Sequence, residues 1–206
     1  MASQGPLFPT AAAVIEGVIH WSNISNILAS DNAYAIASFA SAGYEGVDIA
    51  LGKSFGFSIP AGKVIQGIVV EVEAKASHNS GSNYFRINGA AVLWNYGSKS
   101  GWKWPFVNVE VAEQFYSYGG AGDSWAAGLS RDDINSNGDA GFVVRLDCQM
   151  GSDGTAVTAY LDSMRATVYY GDTPLGYAHK VLGVAPANIA KIMGVPTANV
   201  GKFCGV

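Results

Sequence analysis

The stretch from Val64 to Ala76, VIQGIVVEVEAKA, places Ile68, Val70, Val72 and Ala74 on one side and Val69, Glu71, Glu73 and Lys75 on the other. Successive side chains alternate between faces only in an extended chain, so this period of two marks a strand with one dry face and one wet face. Two later segments repeat the pattern. In Gly141–Gln149 (GFVVRLDCQ) Phe142, Val144 and Leu146 oppose Val143, Arg145 and Asp147, and in Ser163–Gly171 (SMRATVYYG) Met164, Ala166, Val168 and Tyr170 oppose Arg165, Thr167 and Tyr169.

Shorter strand candidates fill much of the remaining chain: EGVIHW from Glu16, AYAIASFA from Ala33, GVDIALG from Gly46, FGFSI from Phe55, NYFRI from Asn83, AAVLW from Ala90, NVEVAEQFY from Asn108 and TAVTAYLD from Thr155. Each is bounded by clusters of Gly, Asn, Asp, Ser or Pro, the residues that supply turn geometry. Helical periodicity is almost absent before residue 185. Many short strands with glycine-rich turns predict an all-β fold, an antiparallel two-sheet sandwich of jelly-roll type with a short irregular or short-helical C-terminal arm. The divisions expected are an N-terminal arm with the first strand at 1–19, the sandwich at 20–171 and the arm at 172–206.

The chain has 206 residues, of which 49% are hydrophobic and 14% charged, with a net charge of -4. An ordinary soluble domain carries roughly 25% charged residues, so much of this surface is expected to be neutral or covered. The acidic balance offers no basic stripe for phosphates and argues against a nucleic-acid partner. The longest apolar window contains two glutamates and is too short to span a membrane. The first residues lack the basic start and cleavage site of a secretory signal, which predicts no Sec export. Cys148 and Cys204 can be one bridge or two reduced thiols.

The final segment, HKVLGVAPANIAKIMGVPTANVGKFCGV, repeats every eleven residues at Lys180, Lys191 and Lys202 and at Gly183, Gly194 and Gly205. Pro186 and Gly194 suit the start and stop of a helical turn. Val181, Leu182, Val184, Ile189, Ile192, Met193, Val195, Val200 and Phe203 are costly to leave in water, at about 1.5–3 kcal/mol for each large side chain. The expected use of this arm is docking on a neighbour, in a homo-oligomer, most simply a trimer.

Four runs together resemble a β-sandwich domain recurring in tailed-bacteriophage structural proteins and some bacterial surface proteins. They are WSNISNILASDNAYAIA, FGFSIPAGKVIQGIVVEVEA, and SWAAGLSRDDINSNGDAGFVVRL followed by YLDSMRATVYYG. The anchors are Trp21, Asp31, Asn32, Phe57, Pro60, Gly67, Trp125, Asp133, Asn135, Asp162 and Tyr169, and NSNGDAGFVV is longer than the pattern there. The resemblance implies a non-enzymatic virion subunit, assembled in the host cytoplasm with other virion structural proteins as partners, in a capsid decoration, connector or tail appendage.

Two local features suggest ligands. Asp133, Asn135, Asn137, Gly138 and Asp139 match the opening of a D-x-N-x-N-G calcium loop, but Val144 stands where the closing glutamate belongs, and an Asn/Gly-rich turn accounts for the same residues. LWNYGSKSGWKWPF gathers Trp94, Tyr96, Trp102 and Trp104 around a hairpin. Flat aromatic faces there can stack on a host-surface glycan, or can pack on the sandwich or on a neighbouring subunit. His20, His78 and His179 lack zinc-ligand spacing, with His20 expected in the core. Asp132 and Asp133 are expected to cap a helix or turn. No nucleophile elbow, P-loop or catalytic Cys–His arrangement occurs, so an enzyme is not expected.

Overall fold

A computed structural model describes residues 1–104 and 106–172, and the backbone alone of 191–192 and 195–196. Two antiparallel sheets face each other across one apolar layer. The first has the order β1 (Ala2–Leu7), β13 (Val157–Asp172), β6 (Lys63–Ala76), β11 (Gln114–Gly120), with β3 (Ala35–Phe39) also on β13. The second runs β10 (Val107–Asn108), β8 (Asn83–Trp94), β12 (Phe142–Ser152), β5 (Ile49–Lys53), β2 (Ala11–Ile15). β4 (Gly43–Gly46) adds to β12, while β7 (Asn79–Ser80) and β9 (Lys99–Lys103) add to β8.

The alternation read from the sequence sets which side chains fill the layer. Ile68, Val70, Val72 and Ala74 of β6 meet Phe142, Val144 and Leu146 of β12 and Met164, Ala166 and Val168 of β13, all buried. Burial of such side chains drives closure of the two sheets. On the outer side of the first sheet, Arg165 pairs with Glu71 at 3.0 Å.

Two expected strands are not strands, and in both the backbone donors find side chains instead. Phe55, Phe57 and Ile59 are buried alternately, as in a strand, and the two rings pack on Phe142 at 5.5 and 5.8 Å. Yet Ser58 N–H donates to Gln4 Oε1 and Ile59 N–H to Asn135 Oδ1. Around Ile19 only a single parallel bridge to Val47 forms, because Gly17 and Trp21 N–H donate to the buried Asp48 carboxylate. Polar side chains here satisfy donors that a ladder would otherwise take.

The segment 1–19, expected as an arm with one strand, instead gives an edge strand to each sheet: β1 pairs β13, and β2 pairs β5. The one α-helix among the described residues, α1 (Arg131–Asn135), is started by a capping box in which Ser130 Oγ accepts from Asp133 N–H and Asp133 Oδ2 from Ser130 N–H. The capping role expected for Asp133 is therefore met. In the arm, β14 (Lys191–Ile192) pairs antiparallel with β15 (Val195–Pro196), a ladder inside the stretch expected to hold a helical turn. Val181, Leu182, Val184, Ile189, Met193, Val200 and Phe203 lie outside the described residues, as do Cys204 and His179.

Candidate functional site

The outward face of the second sheet carries the candidate site, and sheet pairing assembles it from strands far apart in the chain. Ala13, Leu51, Arg145, Ala91 and Trp102 form one row across β2, β5, β12, β8 and β9. The next row holds Lys53, Val143, Leu93 and Ser100. With Ile15, Tyr96, Gly97 and Asp139 these residues, Ala91 excepted, line an open, mostly apolar trough of about 620 Å³. A pocket lined by apolar groups with a few fixed polar ones is the ordinary form of a small-ligand site.

Ala91 decides what its neighbours do. Its small side chain leaves room for the Arg145 guanidinium to reach the face of Trp102, 4.7 Å from the ring centroid. The same guanidinium donates from Nε and Nη2 to both oxygens of Asp147, at 2.9 and 3.2 Å. Trp102 is thus contacted by a cation that is itself fixed. Trp104, just past the end of β9, stacks parallel to Trp102 with centroids 5.8 Å apart and planes 8° apart. It is 62% exposed.

Gly89 explains where the Trp104 ring rests. A Cβ at this position would stand 3.0 Å from Trp104 Cε3 and 2.7 Å from the Lys103 carbonyl oxygen, so only glycine lets the indole lie over β8. At the other end, the hairpin turn holds Asn95 at φ 47° and Tyr96 at φ 56°. Asn tolerates the left-handed region, but a tyrosine there is strained by about 1–3 kcal/mol. The result is a phenol ring 82% exposed at the lip of the trough.

The four aromatics expected at this hairpin therefore separate. Tyr96, Trp102 and Trp104 belong to the outer face. Trp94 belongs to the inner side: it is only partly exposed, packs against the core and donates from Nε1 to Ser136 Oγ at 3.0 Å.

Charges lining the trough are already compensated. Lys53 Nζ meets Asp139 Oδ1 at 2.5 Å, and Arg145 is held by Asp147. Asp139 is the single carboxylate among the described lining residues. Glycoside hydrolysis commonly uses a facing pair of carboxylates, and the described lining does not supply one.

The residues that resemble a calcium loop do not converge. Asp133 is buried, caps α1 and is ion-paired to Lys99. Burial pushes its carboxyl up, but the Lys99 ammonium and the Ser130 donors outweigh this and hold it below the usual range. Asn135 Oδ1 accepts from Ile59 N–H, and its amide donates to the Ile59 carbonyl. Asp139 faces Lys53, and Asn137 makes no side-chain hydrogen bond to the described residues. Among the described residues no group of three or more His, Cys, Asp or Glu side chains is placed to hold a metal ion. Sequence spacing alone had grouped them; Asp133, Asn135 and Asp139 instead take separate partners.

His20, expected in the core, is 67% exposed at its side chain and bonds Asp48 through Nδ1 at 3.0 Å. Cys148 is buried on the inner face of β12, where desolvation pushes its thiol well up. Among the described residues no helix is long and apolar enough to cross a membrane.

No family model and no curated protein matches the chain. Among solved structures, it is similar in fold to TmCBM61 in complex with β-1,4-galactotriose, at 10% identity and TM-score 0.39, covering 78% of this chain and 90% of that one. A structure described as CBM4 is matched at 15% identity and TM-score 0.36, covering 67% and 85%. An exo-β-agarase is matched at 10% identity and TM-score 0.37, covering 81% of this chain and 24% of that one. At these scores the functional reading rests on the residues of this chain alone.

Proposed function

We propose that this protein is a non-catalytic carbohydrate-binding module that holds a glycan against the outward face of β8, β9, β12, β5 and β2. The observation that carries the reading is the pair Trp102 and Trp104, parallel, 5.8 Å apart and on the open side of a sheet beside an apolar trough. Sugar rings present flat faces of C–H groups, and indole planes are the side chains best suited to stack on them. A preformed platform has little ordering cost on binding, because Arg145 and the stacking of the two rings on each other already orient them.

Affinity electrophoresis against a panel of soluble polysaccharides tests it. Wild-type protein is retarded by at least one of them, and Trp102→Ala/Trp104→Ala is not, while its far-UV circular dichroism is unchanged. Equal mobility of the two proteins in every polysaccharide gel that retards the wild type would overturn the assignment.

Self-association through residues 175–206, and a place in a virion, are separate proposals supported by the sequence pattern and the resemblance. Light scattering of a chain ending at Asp172 checks the first, with loss of the oligomer expected.

A further inference from the structure

One cation stands apart from the rest. Every other lysine and arginine whose side chain is described is ion-paired to a carboxylate. Arg86 is not. Its Nε donates to the neutral Asn108 side chain at 2.9 Å, and its guanidinium carbon lies 4.5 Å from the Tyr84 ring centroid and 4.3 Å from that of Phe106. Asp147, two residues along β12 from Gln149, the residue opposite Arg86, is already occupied by Arg145.

The position of Arg86 continues the aromatic platform. On β8, Tyr84, Arg86 and Gly89 all face outward, with a register shift between Asp147 and Cys148 on the paired strand. Gly89 lies opposite Asp147 and Arg86 opposite Gln149, two residues further along β12, or about 7 Å. Trp104 covers Gly89 and Phe106 follows it two residues later, so the rings of Trp102, Trp104 and Phe106 lead from the trough to the guanidinium.

Two rings with centroids 4.5 and 4.3 Å from the guanidinium carbon crowd water from it, and Asn108 takes Nε, which leaves the N–H groups of the Nη1–Nη2 edge. That edge is the part that matches an oxyanion with two parallel hydrogen bonds. The protein as a whole is acidic, at -4, so attraction of a polyanion would be a local property of this position and not of the general field.

We propose that Arg86 is an oxyanion-recognising position at the end of the glycan platform, and that the ligand is an acidic polysaccharide whose carboxylate or sulfate meets the Arg86 guanidinium while its sugar rings stack on Trp102 and Trp104. The inference rests on the binding reading above and names the ligand class for that same face.

The test compares three soluble polymers by affinity electrophoresis and calorimetry: a neutral galactan, polygalacturonate and a sulfated galactan. Wild-type protein binds one of the two acidic polymers about tenfold more tightly than the neutral one, and which of them identifies uronate or sulfate as the anion. Arg86→Gln removes that preference and leaves neutral binding within about twofold. Arg86→Lys, which keeps the charge and loses the planar fork, falls between. Equal binding of neutral and acidic polymers by the wild type, or an equal loss for all polymers in Arg86→Gln, overturns the role of Arg86 while leaving the glycan reading in place. Acidic binding that survives Trp102→Ala/Trp104→Ala overturns the shared site. Failure to bind any of the three polymers overturns both readings for these ligands.

Discussion

Arg145 reaches over Ala91 to place its guanidinium 4.7 Å from the Trp102 ring while both oxygens of Asp147 hold it from behind. The indole is therefore oriented by a charge that the ligand need not neutralise. Arg145→Ala is expected to weaken glycan binding about tenfold or less, the scale of a desolvated cation–aromatic contact. Its thermal midpoint should stay within a few degrees of wild type. Calorimetric titration and a melting curve of the same preparation check both halves, and unchanged affinity would show that Trp102 is held by other contacts.

Gly89 offers a substitution that adds one carbon beneath the Trp104 ring. Gly89→Ala brings a Cβ to 3.0 Å from Trp104 Cε3, so the ring must lift or swing away. Intrinsic tryptophan fluorescence should shift and affinity should drop, with a stability cost of about 1–3 kcal/mol from the contact with the Lys103 carbonyl. A variant with wild-type fluorescence and affinity would mean that the indole adapts without leaving the face.

Asp48 joins the segment 17–21 to β5 through four bonds. Its carboxylate accepts from Gly17 N–H, Trp21 N–H and His20, and its carbonyl from Trp21 Nε1. Burial pushes the carboxyl up, but the Gly17, His20 and Trp21 donors overcome it and hold the group below the usual range. Asp48→Ala leaves two backbone donors without partners and should cost about 3 kcal/mol, or roughly 10 °C in thermal midpoint. The measurement is a denaturant titration at pH 7; a loss below about 1 kcal/mol would show that water replaces the carboxylate.

Asp162 gives a pH dependence of the opposite sign from the usual carboxylate. It is 1% exposed, with Oδ1 unpartnered, and sits at the irregularity in β13 opposite Glu73. Burial first, and then Glu73, raise its carboxyl from the ordinary 3.8 to about 6. A group that holds its proton more tightly when folded stabilises the fold in full below about pH 4 and loses that contribution as pH rises through about 6. Asp162→Asn, neutral at every pH, should be more stable than wild type at pH 7.5 and show no such gain at pH 4. Parallel pH profiles for the two proteins would refute the assignment.

The sandwich could be read from the chain because three long strands alternate in sequence: of the residues expected inward in Val64–Ala76, Gly141–Gln149 and Ser163–Gly171, all are buried but Tyr170, which is half-buried. Phe55–Ile59 misled for a physical reason, since burial alternates there while the hydrogen bonds go to Gln4 and Asn135, and side-chain capping leaves no trace in hydrophobic periodicity. The edge strands of residues 1–15 show only weak alternation, and pairing on one side is all that defines them. Half of the site was visible in the sequence, because Tyr96, Trp102 and Trp104 lie within nine residues of each other. The opposite wall was not: Ala13, Leu51 and Arg145 are far apart in the chain and meet only through strand register, which a single sequence does not specify. Arg86 escaped notice for the same reason, since its isolation from carboxylates is a fact about neighbours across the sheet.

The alternation that builds the platform also separates two kinds of selection. Positions 51, 53, 91, 93, 102, 143 and 145 face the open side, and their immediate neighbours along each strand point into the interior layer. Under the glycan-binding role proposed above, preference for a different sugar can therefore evolve by exchanging outward residues singly while the layer beneath keeps its shape. A scaffold of this kind can serve a lineage that must track a changing polysaccharide without refounding its fold each time.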